Sequence, residues 1–158
     1  MSQAKLYMAD KYVDKCYYDN KKNRLSSVMM ELAMIGRFKS RHAPKIIKYL
    51  NNGYRMKRYD YALGTTKKLT RSCPNFLDEI NEIECDLIDN GINHRDINPG
   101  NLLYCEDESS LVLIDFYWAI PLEKDAQRIG KLNKYYGRDK KAFKRLRKEY
   151  GKSNKPVS

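Results

Sequence analysis

Two runs constrain this chain more than any other feature: Ile92-Asn93-His94-Arg95-Asp96-Ile97-Asn98-Pro99-Gly100-Asn101-Leu102-Leu103, and Leu113-Ile114-Asp115-Phe116. The apolar Val112-Leu113-Ile114 predicts a short buried strand ending at Asp115. Asn101-Leu102-Leu103-Tyr104 predicts its hairpin partner, across the polar turn Glu106-Asp107-Glu108-Ser109-Ser110. A hairpin of this kind brings Asn101 and Asp115 together at its open end. The plainer alternative makes Asp96 and Asn101 turn formers, whose short side chains bond nearby backbone, and Asp115 only a strand terminator.

The residue types at these offsets suit one chemistry in particular. Phosphoryl transfer from a magnesium nucleotide needs a carboxylate beside the hydroxyl that attacks. It also needs an amide oxygen and a second carboxylate to hold the metal against the phosphates. Asp96 fits the first role; Asn101 and Asp115 fit the second, as metal ligands.

With 158 residues the chain can hold one domain with a real core, or two small lobes. No apolar run approaches the roughly eighteen residues that span a bilayer, and the N-terminus has no signal-peptide core, so a cytoplasmic protein is expected. Cys16, Cys73, Cys85 and Cys105 are scattered, without C-x-x-C spacing, and are expected to be reduced. The net charge of +11 is concentrated in residues 124–152, where twelve Lys or Arg face Asp125, Asp139 and Glu149, a net of +9. Such a patch suits an anionic partner: an acidic protein, a phospholipid or phosphosugar, or a nucleic acid. A solvated helix face explains it equally well.

Along the chain, Tyr12-Val13-Asp14-Lys15-Cys16-Tyr17-Tyr18 predicts a strand, within a stretch from residue 5 that can form one or two. Leu25, Val28, Met29, Leu32, Ile35 and Phe38 recur at helical steps, with Glu31 among them. Ile46 to Leu50 and Tyr54 to Leu63 flank Asn52-Gly53, a hairpin signal. Gly64-Thr65-Thr66 reads as a hinge. Phe76, Leu77, Ile80, Ile83, Leu87 and Ile88 mark a second helix that Asn90-Gly91 stops. Tyr117 to Leu122 is expected to be extended. Glu123 to Tyr136 and Asp139 to Tyr150 then predict two basic helices separated by Gly137, before a fraying tail at 153–158.

This order of elements and motifs resembles the protein kinase-like superfamily, most closely from Phe76 to Ala119. The resemblance implies an α+β, two-lobed fold, with a reduced N-lobe at 1–63 (a short antiparallel sheet plus one helix) and a reduced, mainly helical C-lobe at 64–152. It implies Asp96 as catalytic base, with His94 and Arg95 shaping the loop around it, and ATP and Mg2+ as cofactors. Lys15, with Lys11 as an alternative, would grip the phosphates, and Glu31 would orient it. Asp60 and Ala62 would offer hinge backbone to the adenine, with Met56 at the back of the pocket, and Asp125 would brace the catalytic loop from below.

Departures from the family pattern are equally informative. Gly36 is the first glycine, so the glycine-rich cover of the phosphates is not expected in its usual form. Tyr117 follows Phe116 where the family has glycine, and Asn98 stands where protein kinases commonly place lysine. These features leave two expectations open. One is a minimal kinase acting on a hydroxyl-bearing substrate, whether a protein Ser/Thr or a sugar or lipid hydroxyl. The other is a weakly active or inactive kinase-shaped module that binds an anionic partner through its basic helices.

Overall fold

The computed structural model describes residues 4–18, 24–122 and 132–153. They form a mixed α+β structure of small antiparallel sheets and three helices. The first sheet is built from β1 (Ala4–Met8), β2 (Tyr12–Tyr17), β3 (Ile46–Leu50) and β4 (Gly53–Lys57), in the order β1-β2-β4-β3. The Asn-Gly turn sets the register of β3 on β4, and Lys15 on β2 lies opposite Tyr54 on β4. Gly53 is required by space. A Cβ there would fall inside the carbonyl oxygen of Lys15 on the neighbouring strand.

Helix α1 (Arg24–Arg37) lies between β2 and β3 in sequence and buries Val28, Glu31, Met34 and Ile35. Met29, expected on its apolar face, is 60% exposed, as is much of Met30. The inward stripe is narrower than periodicity implied, because Glu31 takes one of its positions.

Tyr54 to Leu63 is not one strand. Beta pairing on the first sheet ends at Lys57, and the two-residue β5 (Tyr61–Ala62) pairs instead with β7 (Leu102–Cys105) in a second sheet, β5-β7-β8, completed by β8 (Ser110–Leu113). The break follows from burial. Tyr59 packs with Cys105 and Val112, anchoring the chain to the second sheet rather than the first.

Helix α2 (Phe76–Asp89) buries Phe76, Glu79, Ile80, Ile83 and Leu87 and opens with Asp78 and Glu79, which suit the positive end of the helix dipole. Gly91, at φ 65°, provides the left-handed stop that the sequence implied. The chain continues into β6 (Ile92–Asn93), which pairs with β9 (Ile120–Pro121), and so brackets the segment bearing Asp96, Asn101 and Asp115 between two short strands.

Helix α3 (Leu132–Ser153) runs unbroken through Gly137, where the sequence predicted a break between two helices. A helical glycine costs only about 1 kcal/mol relative to alanine, whereas burying each of Phe143 and Leu146 contributes roughly 1.5–3 kcal/mol. Tyr150 stacks on Phe76 at 4.5 Å and extends the same anchorage. The helix therefore continues through the glycine. Residues 123–131 and 154–158 lie outside the described residues, and with them Asp125 and most of the expected tail.

A single apolar cluster links α1, both larger sheets, α2 and α3. Phe38 at the end of α1 packs on Phe116 at 5.5 Å, so the residue after Asp115 joins the first helix to the second sheet. No helix among the described residues is long and apolar enough to cross a membrane.

Candidate active site

Asp96, Asn101 and Asp115 line one cleft of about 520 Å³, together with Lys15, Tyr17, Tyr54, Met56, Thr66, Tyr117 and Trp118. That volume lies within the range of small-molecule sites.

The loop that carries Asp96 is held by its own side chains. Asn98 Nδ2 donates to Asp96 O and Oδ1 at 3.1 and 3.2 Å, and Asn101 Nδ2 donates to Asp96 O and Oδ2 at 2.9 and 3.0 Å. Asn98 also caps the short 3-10 turn Pro99–Asn101 by accepting from Gly100 N–H. Both amide nitrogens of this loop are thus directed at Asp96. The Oδ1 of Asn101 carries no such duty and is the oxygen it can offer to a cation.

Asp115 is tied to the same loop through backbone. Ile114 N–H donates to Asn101 O at 2.9 Å, and His94 Nε2 lies 3.0 Å from Ile114 O. A carbonyl only accepts, so Nε2 bears the proton, and Nδ1 accepts from Asp96 N–H at 3.2 Å. His94 is fully buried, edge-on to Phe116 at 4.8 Å. Burial pushes its pKa down to about 4, against the opposing effects of the Ile114 carbonyl and the nearby Asp115 and Asp96, so the ring is neutral at pH 7. A neutral imidazole is the form these two hydrogen bonds need.

Backbone strain concentrates here. Arg95 and Asp115 adopt φ of 70° and 64°, left-handed values that a non-glycine side chain keeps only where neighbours over-determine them.

Lys15 Nζ lies 2.9 Å from Glu31 Oε1 and 3.1 Å from Asp115 Oδ1. Burial alone would push the Lys15 ammonium down, but Glu31 and Asp115 together outweigh it and hold its pKa above the ordinary lysine range. Burial raises the Glu31 carboxyl, and Lys15 and the Tyr54 hydroxyl, which donates at 2.8 Å, oppose that rise. Glu31 is 0% exposed, so its charge depends on these two partners. Lys15, Glu31 and Asp115 therefore form one chain of ions reaching from α1 into the cleft. Lys11, the alternative to Lys15, is not among the residues lining it.

Asp60 and Ala62 are not brought to this cleft. Asp60 N–H donates to Tyr104 O and its carboxylate accepts from Glu106 N–H at 2.7 Å, so both are committed to the second sheet, while Ala62 pairs with Leu103. Ala4 and Leu6 of β1 line the cleft beside the residues of β2 and β4. Met56, expected at the back of an adenine pocket, is among the residues that line the cleft.

Asp139, which sequence reasoning treated only as the start of a helix, braces the loop from below. Its carboxylate accepts from His94 N–H at 2.7 Å and from Arg95 N–H at 2.8 Å. Burial drives its pKa up to about 6, against the two N–H donors. This is the part assigned in expectation to Asp125, which lies outside the described residues. The missed signal was the acidic residue flanked by Arg138 and Lys140 on an otherwise basic helix. Glu79 was missed as well: buried on α2, it accepts from Leu111 N–H at 2.8 Å and fixes the strand that leads to Asp115.

No protein-family model matches this chain, and no curated protein matches it.

Proposed function

We propose that this chain is an ATP- and magnesium-dependent phosphotransferase with a reduced protein kinase-like fold, acting on an alcohol group. The observation that carries this reading is the ammonium of Lys15 held between a buried helix glutamate and Asp115, in the cleft where Asp96 and Asn101 also open. The donors suit the cofactor: an amide oxygen and a carboxylate are the hard ligands that magnesium prefers, alongside water and phosphate oxygens. Asn101 and Asp115 would hold the ion, which neutralises charge on the phosphates of ATP.

The remaining work falls to this chain's own groups. Asp96 accepts the proton of the acceptor hydroxyl as its oxygen bonds to the γ-phosphorus and ADP leaves. Asn98 and Asn101 aim that carboxylate, and His94 fixes the spacing between Asp96 and Asp115. Lys15 positions the phosphates, and Glu31 positions Lys15. The alternative, a non-catalytic module for an anionic partner, draws support from the exposed Lys140, Lys141, Lys144 and Lys148 of α3.

Incubation of the full chain with magnesium and γ-labelled ATP, against protein, sugar and lipid-headgroup acceptors and itself, tests the enzyme reading. Transfer that falls about 10²- to 10⁴-fold in Asp96→Ala supports it. Transfer from neither protein favours the binding module.

A further inference from the structure

A second cluster of ligand-type side chains lies away from the cleft, where the loop after α1 meets α2. His42 is fully buried, and its Nδ1 sits 2.7 Å from the carbonyl oxygen of Leu111. That carbonyl fixes the proton on Nδ1. Nε2 is then a bare lone pair in the interior, with no hydrogen-bond partner. It faces Glu82 Oε1 at 3.5 Å, and Asp86 brings a further carboxylate oxygen, with all three ligand atoms within 4.8 Å of one another. Glu82 and Asp86 are one turn apart on α2 and so share its face.

The Arg41 guanidinium offsets the charge of Glu82 from outside, but the buried Nε2 lone pair still faces the carboxylate oxygens without a hydrogen-bond partner, an arrangement that a cation would complete. A proton on Nε2 would draw the nitrogen and the carboxylate to about 2.7–2.9 Å, as charge-assisted hydrogen bonds do. The separation of 3.5 Å is instead close to the edge of a tetrahedron whose metal–ligand bonds are about 2.0–2.1 Å. The groups behind the ligands fit the same account. Ser40 Oγ donates to Asp86 Oδ2, Arg41 donates to both oxygens of Glu82, and the Leu111 carbonyl holds the imidazole, so each ligand is oriented from outside.

We infer that His42, Glu82 and Asp86 bind a divalent transition cation of the zinc class, with the fourth position left to water. One imidazole and two carboxylates suit such an ion better than magnesium, which seeks six oxygens. The cation would tie the segment after α1, the helix bearing Glu31, to α2. It would also act on β8, because His42 O accepts from Leu113 N–H at 2.9 Å, two residues before Asp115. The site is independent of the reaction proposed for the cleft.

Binding to the chelator-stripped full chain is the test, with ZnCl2 followed by melting temperature and CoCl2 by its visible absorption. A Cys85→Ser background removes the exposed thiol next to Asp86. One equivalent should bind, raise the melting temperature and give a cobalt spectrum without a thiolate charge-transfer band, while MgCl2 alone should not substitute. Glu82→Gln and Asp86→Asn, both on partly or fully exposed positions, should fold and each weaken binding about 10-fold or more. His42→Gln should abolish it. Absence of binding, affinity unchanged in Glu82→Gln and Asp86→Asn, or a thiolate band would overturn the inference. So would a melting temperature that responds to protons and not to zinc, which would assign the contact to an imidazolium–Glu82 pair.

Discussion

Replacing Lys15 with methionine leaves Glu31 fully buried, with the Tyr54 hydroxyl as its remaining donor. Breaking a buried pair by removing one partner costs about 3–5 kcal/mol, because the other charge stays desolvated. Asp115, the second carboxylate on Lys15, is over a third exposed and regains water, so it adds little to that figure. The deficit must also depend on pH. Glu31 already has its pKa raised by burial, and losing Lys15 raises it further. Between the unfolded value and this raised folded value the native state binds more protons than the unfolded one, so stability falls as pH rises through that window. Lys15→Met should thus be most destabilised near pH 7 and recover on acidification. In Lys15→Met/Glu31→Met, which removes both charges, most of the loss should return, since an apolar pair of similar volume is often neutral or better. Urea unfolding of the parent, the two single variants and the double variant at pH 5 and 7 gives the coupling directly. If Lys15→Met unfolds within 1 kcal/mol of the parent at both pH values, by the threshold expected of surface pairs, the ammonium is not held between buried carboxylates and the reasoning fails.

Three further outcomes follow from the same geometry. Asp139→Ala orphans the N–H groups of His94 and Arg95, at roughly 1–3 kcal/mol for each buried donor, and should lower both urea stability and phosphotransfer. His94, with its pKa depressed to about 4, adds stability present above about pH 6.5 and lost as pH falls towards 4; Asp139, raised to about 6, does the reverse between about 3.8 and 6. The two nearly cancel in the parent, so His94→Phe should become less stable as pH rises from 4 to 6, by at most about 3 kcal/mol; melting curves as flat with pH as the parent's would contradict this. Gly53→Ala should lower the melting temperature and weaken any response to nucleotide, because the new methyl displaces the strand segment that carries Lys15.

Much of this architecture is legible in the residues, where local chemistry and tertiary packing agree. The Asn-Gly hairpin, the helix ending at Gly91 and the hairpin joining Asn101 to Asp115 each rest on a short-range signal that the packing reinforces. The chain departs from expectation where packing overrides such a signal. Gly137 does not interrupt α3 because Phe143, Leu146 and Tyr150 anchor the helix beyond it. Tyr59 diverts the chain out of the first sheet, which takes Asp60 and Ala62 away from the cleft. Within the site, Asp96, Asn101 and Asp115 were named from motif and spacing, and Lys15 and Glu31 only from the family resemblance; the first three line one cleft with Lys15, and Glu31 pairs with Lys15. Asp139 was not, because a brace on backbone N–H groups 44 and 45 residues away leaves no periodic trace in the sequence.

Asp96, Asn101 and Asp115 are proposed to share a magnesium nucleotide, and the most direct measure of this is the melting of the chain with ATP in the presence and absence of magnesium. At a nucleotide concentration about a hundred times the dissociation constant, the parent should gain about 2.7 kcal/mol, with the gain lost in Asp115→Ala and absent when magnesium is withheld. A parent that melts at the same temperature with and without saturating magnesium-ATP would contradict the account.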